Sequence, residues 1–163
     1  MTTPNNDALE NIDYEKYSLS SLFDLGWKLQ LDLEKQSEES SASYQLRRTR
    51  LIDLFKKCEF MLDELHIYSS NEEIDEISTS ELRYMMIYAI LAWLHEKISA
   101  TSAQQRVPEL RASREYFHRF LSLTRSYGLH SFEVEKRSAQ EQNQTANMSS
   151  QATFDQNMVR LSY

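Results

Sequence analysis

SELRYMMIYAILAWLHEKIS, residues 80–99, is the stretch that decides the fold. Its apolar residues Leu82, Met85, Met86, Ala89, Ile90, Trp93, Leu94 and Ile98 recur at steps of three and four, the spacing of a helix face. That face is wide, which predicts a central helix packed on two sides. Just upstream, Ser78 and Glu81 stand in capping-box spacing. There the serine oxygen accepts from an orphan N–H while the glutamate reaches back to the cap.

The same periodicity extends in both directions. A first helix is expected from Ser18, with Leu19, Leu22, Phe23, Gly26, Leu29 and Leu33 on one face. A second spans Tyr44 to His66, with Leu51, Leu54, Phe55, Cys58, Leu62 and Leu65 inward and Arg47, Arg48, Arg50, Lys56 and Lys57 outward. A fourth starts with Pro108 in its first turn, where the missing N–H costs nothing. It ends at Tyr127 with Gly128 as its cap. Its expected inner face is Val107, Leu110, Phe117, Phe120, Leu121 and Thr124. Glycine occurs only at 26 and 128 and proline only at 4 and 108, so few positions break a helix. The fold class is all-α, with antiparallel helical hairpins stacked in a tetratricopeptide-like layer.

The expected organisation is a flexible leader over 1–16 and a helical domain over 17–136. A polar segment follows over 137–153, poor in groups that could offset ordering. Phe154, Met158 and Leu161 mark the start of a final helix over 154–163, which reads as cut short at Tyr163.

Composition excludes several chemistries. Phosphate loops and dinucleotide fingerprints need clustered glycines, which are absent. Of His66, His95, His118 and His130, no two lie three or four apart, so no metal is expected. Glu72, Glu73, Asp75 and Glu76 lack the alternation and central glycine of a calcium loop. No serine sits in a nucleophile elbow, and neither an enzyme nor a cofactor is expected. The single cysteine, Cys58, falls in the apolar stripe and suits a reducing, cytoplasmic setting. No apolar run is long enough for a membrane span. The formal net charge of −7 argues against nucleic acid. Residues 83–130 are the exception, with seven bases against three acids. Arg111, Arg114, Arg119 and Arg125 join Arg106 and, upstream, Lys97, spread over the face away from Phe117 and Leu121. Of these, Arg106, Arg111, Arg114 and Arg125 with Lys97 are read as a surface for an acidic partner.

Several spaced motifs carry a family resemblance. LFDLGWKL (22–29), LDELHIYSSNEEIDEISTSELRYM (62–85), RASREYFHRFL (111–121) and QTANMSS (144–150) occur in order. Together they resemble the N-terminal domain of the alpha-four family, also called immunoglobulin-binding protein one, the Tap-type regulators of type 2A protein phosphatases. The resemblance covers the chain from about residue 18 onward. It implies a noncatalytic scaffold, chaperone-like, that binds and stabilises phosphatase catalytic subunits in target-of-rapamycin signalling. In the family, phosphatase binding leans on a basic helix after the polar segment, and only Arg160 stands where that helix would begin. The ubiquitin-interacting segment of animal members has no match in Glu34 to Arg47. The alternative is a generic helical adaptor for peptides or ubiquitin.

Overall fold

The computed structural model describes residues 12–68 and 74–130. Most of the leader, the polar segment, the final helix and Arg160 lie outside the described residues. Among the described residues five α-helices occur and no strand: α1 (Leu19–Glu34), α2 (Ala42–Glu64), α3 (Thr79–Leu82), α4 (Met86–Glu96) and α5 (Ala103–Ser126). Short 3-10 turns form at Tyr14–Lys16, Ile74–Glu76 and Arg83–Met85. The expected third helix is thus a single turn, a 3-10 turn and then α4.

Serine starts these helices. The side chains of Ser18, Ser41 and Ser102 accept from the backbone N–H groups of Ser21, Tyr44 and Gln105. Ser78 and Glu81 form the anticipated capping box at α3. The cap at Ser102 starts α5 five residues before Pro108, which therefore lies inside the helix. A proline there has no N–H for the Gln104 carbonyl. Both residues are exposed, so water can serve that oxygen.

The ends are equally specific. Gly128 has φ +70°. Leu129 N–H reaches the Thr124 carbonyl and Gly128 N–H that of Arg125, both at 2.9 Å, which is a Schellman closure. α2 closes the same way with His66 in the left-handed conformation, φ 51°. Ile67 and His66 donate to Leu62 and Asp63.

Contacts between helices fix their directions. Arg83, before α4, bonds Asp24 in α1, while Lys97, after α4, bonds Glu39 beyond the end of α1. α1 and α4 therefore run the same way. Arg48 and Glu59 of α2 meet Glu109 and Arg119 of α5, so these two also run together, opposite to the first pair. The layer consists of antiparallel hairpins, α1/α2 and α4/α5, with α2 packed on α4. Leu22, Leu54, Phe55, Ile87, Leu91 and Leu94 are wholly buried at its centre. α4 is walled on two sides, by α2 and α5, as its broad apolar face implies. Ile12 and Tyr14 pack against this core.

The face expected for α1 is the one observed, and Cys58 is wholly buried. Three readings are corrected. Leu65, assigned to the α2 stripe, is 61% exposed, because α2 ends beside it. Arg48, assigned to the surface, is 6% exposed. Val107, Leu110 and Phe117, assigned to the inner face of α5, are 42%, 38% and 42% exposed. Phe120 and Thr124 are inward as expected, Leu121 is half-buried, and the rest of the inward side is Ser113, Tyr116 and Leu123.

Gly26 marks the closest approach of α1 to α2. A Cβ there would sit 2.6 Å from Leu54 Cδ2 and 2.9 Å from Phe55 Cζ. Both neighbours are wholly buried and have nowhere to move. Gly26→Ala should lower stability by about 1–2 kcal/mol in urea denaturation, overpacking outweighing the better helix propensity. His66→Gly should raise it by about 0.5–1 kcal/mol, because glycine adopts positive φ without a Cβ clash.

Candidate docking surface

The site is built on α5, whose rotation about its own axis is set by two charged contacts. Arg48 of α2 donates from Nη1 to Glu109 Oε2 at 3.1 Å and to the Leu94 carbonyl at 3.0 Å. Its Nε donates to Gln45 Oε1 at 3.0 Å, and Gln45 Nε2 donates to the Lys97 carbonyl at 3.1 Å. The last carbonyls of α4 have no donor within their own helix, and these two side chains supply them. A cation at a helix C-terminus also opposes the helix dipole favourably. His95 Nδ1 lies 2.9 Å from the same Glu109 oxygen, and its ring stacks on Tyr116. With a carboxylate as acceptor, Nδ1 carries the proton.

The second contact joins Glu59 of α2 to Arg119. Tyr116 donates its hydroxyl to Glu59 at 3.2 Å, and the Arg119 guanidinium lies 4.5 Å from the Tyr88 ring centre. Burial pushes the Tyr116 phenol up to about 12, with the Glu59 carboxylate adding to it. Glu109, half-buried, and Arg119, exposed, are therefore both tied to α2.

What remains outward on α5 is distinctive. Arg106, Arg111, Arg114 and Arg125 are exposed, and Glu115 is the exposed carboxylate on the same helix. Arg106, Arg111 and Arg114 make no hydrogen bond or ion pair with other described residues. Arg111, Arg114 and Arg125 are three and eleven residues apart, so they share one side of the helix; Arg106 lies about a quarter-turn round. Lys97 is not part of this set. Its ammonium bonds Glu39 at 3.0 Å and lies over Trp93, and the Glu39 hydrogen bond holds its pKa up.

The arginines do not stand apart from the apolar residues. Leu110, Ser113, Arg114, Phe117, His118 and Leu121 line one shallow hollow of about 260 Å³. A second, of about 300 Å³, lies between Leu82, Met85 and Met86 on one side and Phe120, Thr124 and Leu129 on the other. The apolar part of the surface escaped sequence reading because Phe117 and Leu121 were assigned inward. The available signal was the competing stripe Ser113, Tyr116, Phe120, Leu123 and Tyr127, also spaced by three and four.

No cluster of metal-ligating groups occurs among the described residues. No described helix is long and apolar enough to cross a membrane. The Cys58 thiol is pushed up to about 12 by burial, which leaves it unreactive.

Paired helices held together by polar clusters, with an outer helix that is both basic and apolar, define an all-helical layer. The chain belongs to the TAP42-like family, whose model matches residues 19–161. It is similar to the rice PP2A regulatory subunit TAP46, 32% identical over 94 residues, 58% of this chain and 22% of that protein. It is similar to human Immunoglobulin-binding protein 1 family member C, 30% identical over 117 residues, 71% of this chain and 34% of that protein. The Caenorhabditis elegans Serine/threonine-protein phosphatase 4 regulatory subunit ppfr-4 is 28% identical over 117 residues, 72% of this chain and 35% of that protein. The chain thus spans between 22% and 35% of the length of these relatives.

Glu109 is the titratable centre of the α2–α4–α5 contact. Burial pushes its carboxyl up, but the hydrogen bonds from His95 and Arg48 and the charge of Arg48 outweigh burial, and the net direction is down. A carboxylate lowered on folding stabilises the fold above its unfolded value and loses that contribution as pH falls through the folded value. Glu109→Gln should therefore cost about 2–3 kcal/mol at pH 7, leaving the Arg48 charge buried without its counter-charge. The gap from wild type should narrow as pH falls below the ordinary carboxylate value of 4.5, which urea melts at several pH values will read.

Proposed function

We propose that the chain is the helical partner-binding part of a noncatalytic phosphatase regulator. It acts in the cytoplasm, with residues 17–136 as the binding domain. Its partners are catalytic subunits of type 2A-family Ser/Thr protein phosphatases. Two of the similar proteins are named regulatory subunits of PP2A and of phosphatase 4, which supports this partner class. The observation that carries the reading is the outward side of α5, where Arg106, Arg111, Arg114 and Arg125 are exposed and outnumber Glu115, the exposed carboxylate of that helix. Such a field attracts an acidic patch, raises the association rate and sets partner choice.

The mechanism is surface complementarity on a stiff support. The contacts of Arg48 with Glu109 and of Arg119 with Glu59 hold α5 against rotation, so its outward cations keep a fixed spacing. A ligand that meets pre-set charges loses less freedom on binding.

Each exposed pair contributes only about 0–1 kcal/mol, so a double reversal is the fair test. Arg111→Glu with Arg114→Glu should weaken capture of a purified type 2A catalytic subunit about tenfold or more by calorimetry. Helix content by circular dichroism should not change, since neither side chain supports the fold. Unaltered capture overturns the role of this surface.

A further inference from the structure

The outward face of α5 carries a shape as well as a charge. Val107, Leu110, Arg114, Phe117 and Leu121 follow one another at steps of three, four, three and four. That mean period of 3.5 is the one at which two helices stay in contact along their length. A strand or an irregular loop has no reason to match it. The fourteen residue steps from Val107 to Leu121 span about 21 Å of α-helix, close to four turns. Along this line lies the hollow of about 260 Å³ between Leu110, Arg114, Phe117 and Leu121. Val107, Leu110 and Phe117 are each 38–42% exposed, so the seam presents apolar surface that a bound helix would remove from water.

The charge selects which helix fits. Arg114 lies at the midpoint of the seam, inside the apolar line, not on its rim. A helix seated there covers this guanidinium, which then needs a carboxylate directly opposite. Arg111 flanks the seam on one side. A second copy of α5 is a poor occupant. A pairing that overlaps the whole seam, parallel or antiparallel, sets Arg114 against Arg114, and like charges in a covered seam repel strongly.

We propose that the outward face of α5 is a seat for one acidic amphipathic helix of a partner. That helix has about four turns, apolar residues at 3.5-residue spacing and a carboxylate opposite Arg114. The proposal rests on the reading of α5 as the docking face and names the chemistry of what docks.

The probe is a fluorescein-labelled peptide of three heptads. It has leucine at the seam positions, one glutamate at the central seam position and glutamates flanking the seam. A control carries lysine in place of every glutamate. With the whole chain, anisotropy should show saturable micromolar binding of the acidic peptide and at least about tenfold weaker binding of the control. The peptide should gain helix by circular dichroism on binding. Phe117→Ser should weaken binding about tenfold with the chain's own dichroism unchanged, since Phe117 is 42% exposed and belongs to neither buried core cluster. Arg114→Glu should shift preference toward the lysine peptide. Three results overturn the proposal: no saturable binding of the acidic peptide, indifference to Phe117→Ser, or self-association of the chain in sedimentation that Phe117→Ser abolishes. Failure of the phosphatase reading is distinguishable. Capture of a catalytic subunit that survives Phe117→Ser removes the helix seat and leaves that reading intact. Peptide binding without capture does the reverse.

Discussion

The buried guanidinium of Arg48 is the contact on which the rest of the layer depends. α4 is apolar nearly all round and ends inside the layer, where its last carbonyls lack donors of their own. Arg48 and Gln45 serve the Leu94 and Lys97 carbonyls from α2. A charge so placed needs a counter-charge, and Glu109 supplies it from α5. One side chain therefore closes α4, anchors α5 and fixes both relative to α2.

The outward face is a consequence of that anchoring. With Glu109 turned toward α2, Val107 lies nearly opposite it, Leu121 about a third of a turn round, and Leu110 and Phe117 about a quarter-turn round. Val107, Leu110 and Phe117 are left exposed and Leu121 half-buried. Arg119, ten residues after Glu109, is tied inward to Glu59 and prevents α5 from rolling to bury them. Two polar contacts and the packing of Tyr116, Phe120 and Leu123 on the core together leave the apolar line outward.

This explains what the sequence discloses and what it withholds. α1 was legible because one stripe, Leu19, Leu22, Phe23, Gly26 and Leu33, dominates its inward face, although Gln30 is buried there and Trp27 and Leu31 are exposed. The ends were legible where chemistry is local: Ser78 with Glu81, Gly128 after Tyr127. α5 was not, because it carries two stripes at the same spacing. The buried one is built from Ser113, Tyr116, Phe120, Leu123 and Thr124, and the exposed one looks greasier. Arg48 and Glu109 decide between them, yet they lie 61 residues apart and each resembles an ordinary surface charge. The start of α5 was missed for a similar reason. Pro108 suggested a first turn, but the cap at Ser102 and the pairing of Glu109 both favour a helix that begins earlier.

The basic surface was half legible for the same reason. Its arginines could be counted along the chain, but their neighbours depended on which stripe turned inward. Once Arg48 holds Glu109, Arg114 shares a hollow with Phe117 and Leu121, and charge and apolar surface become one feature. Exposed charge alone attracts many partners weakly, and exposed apolar surface alone discriminates poorly. A cation set within an apolar line is more selective, because covering it without a carboxylate costs more than the apolar contact returns. Selectivity at the surface of α5 therefore traces back to a guanidinium buried on its far side.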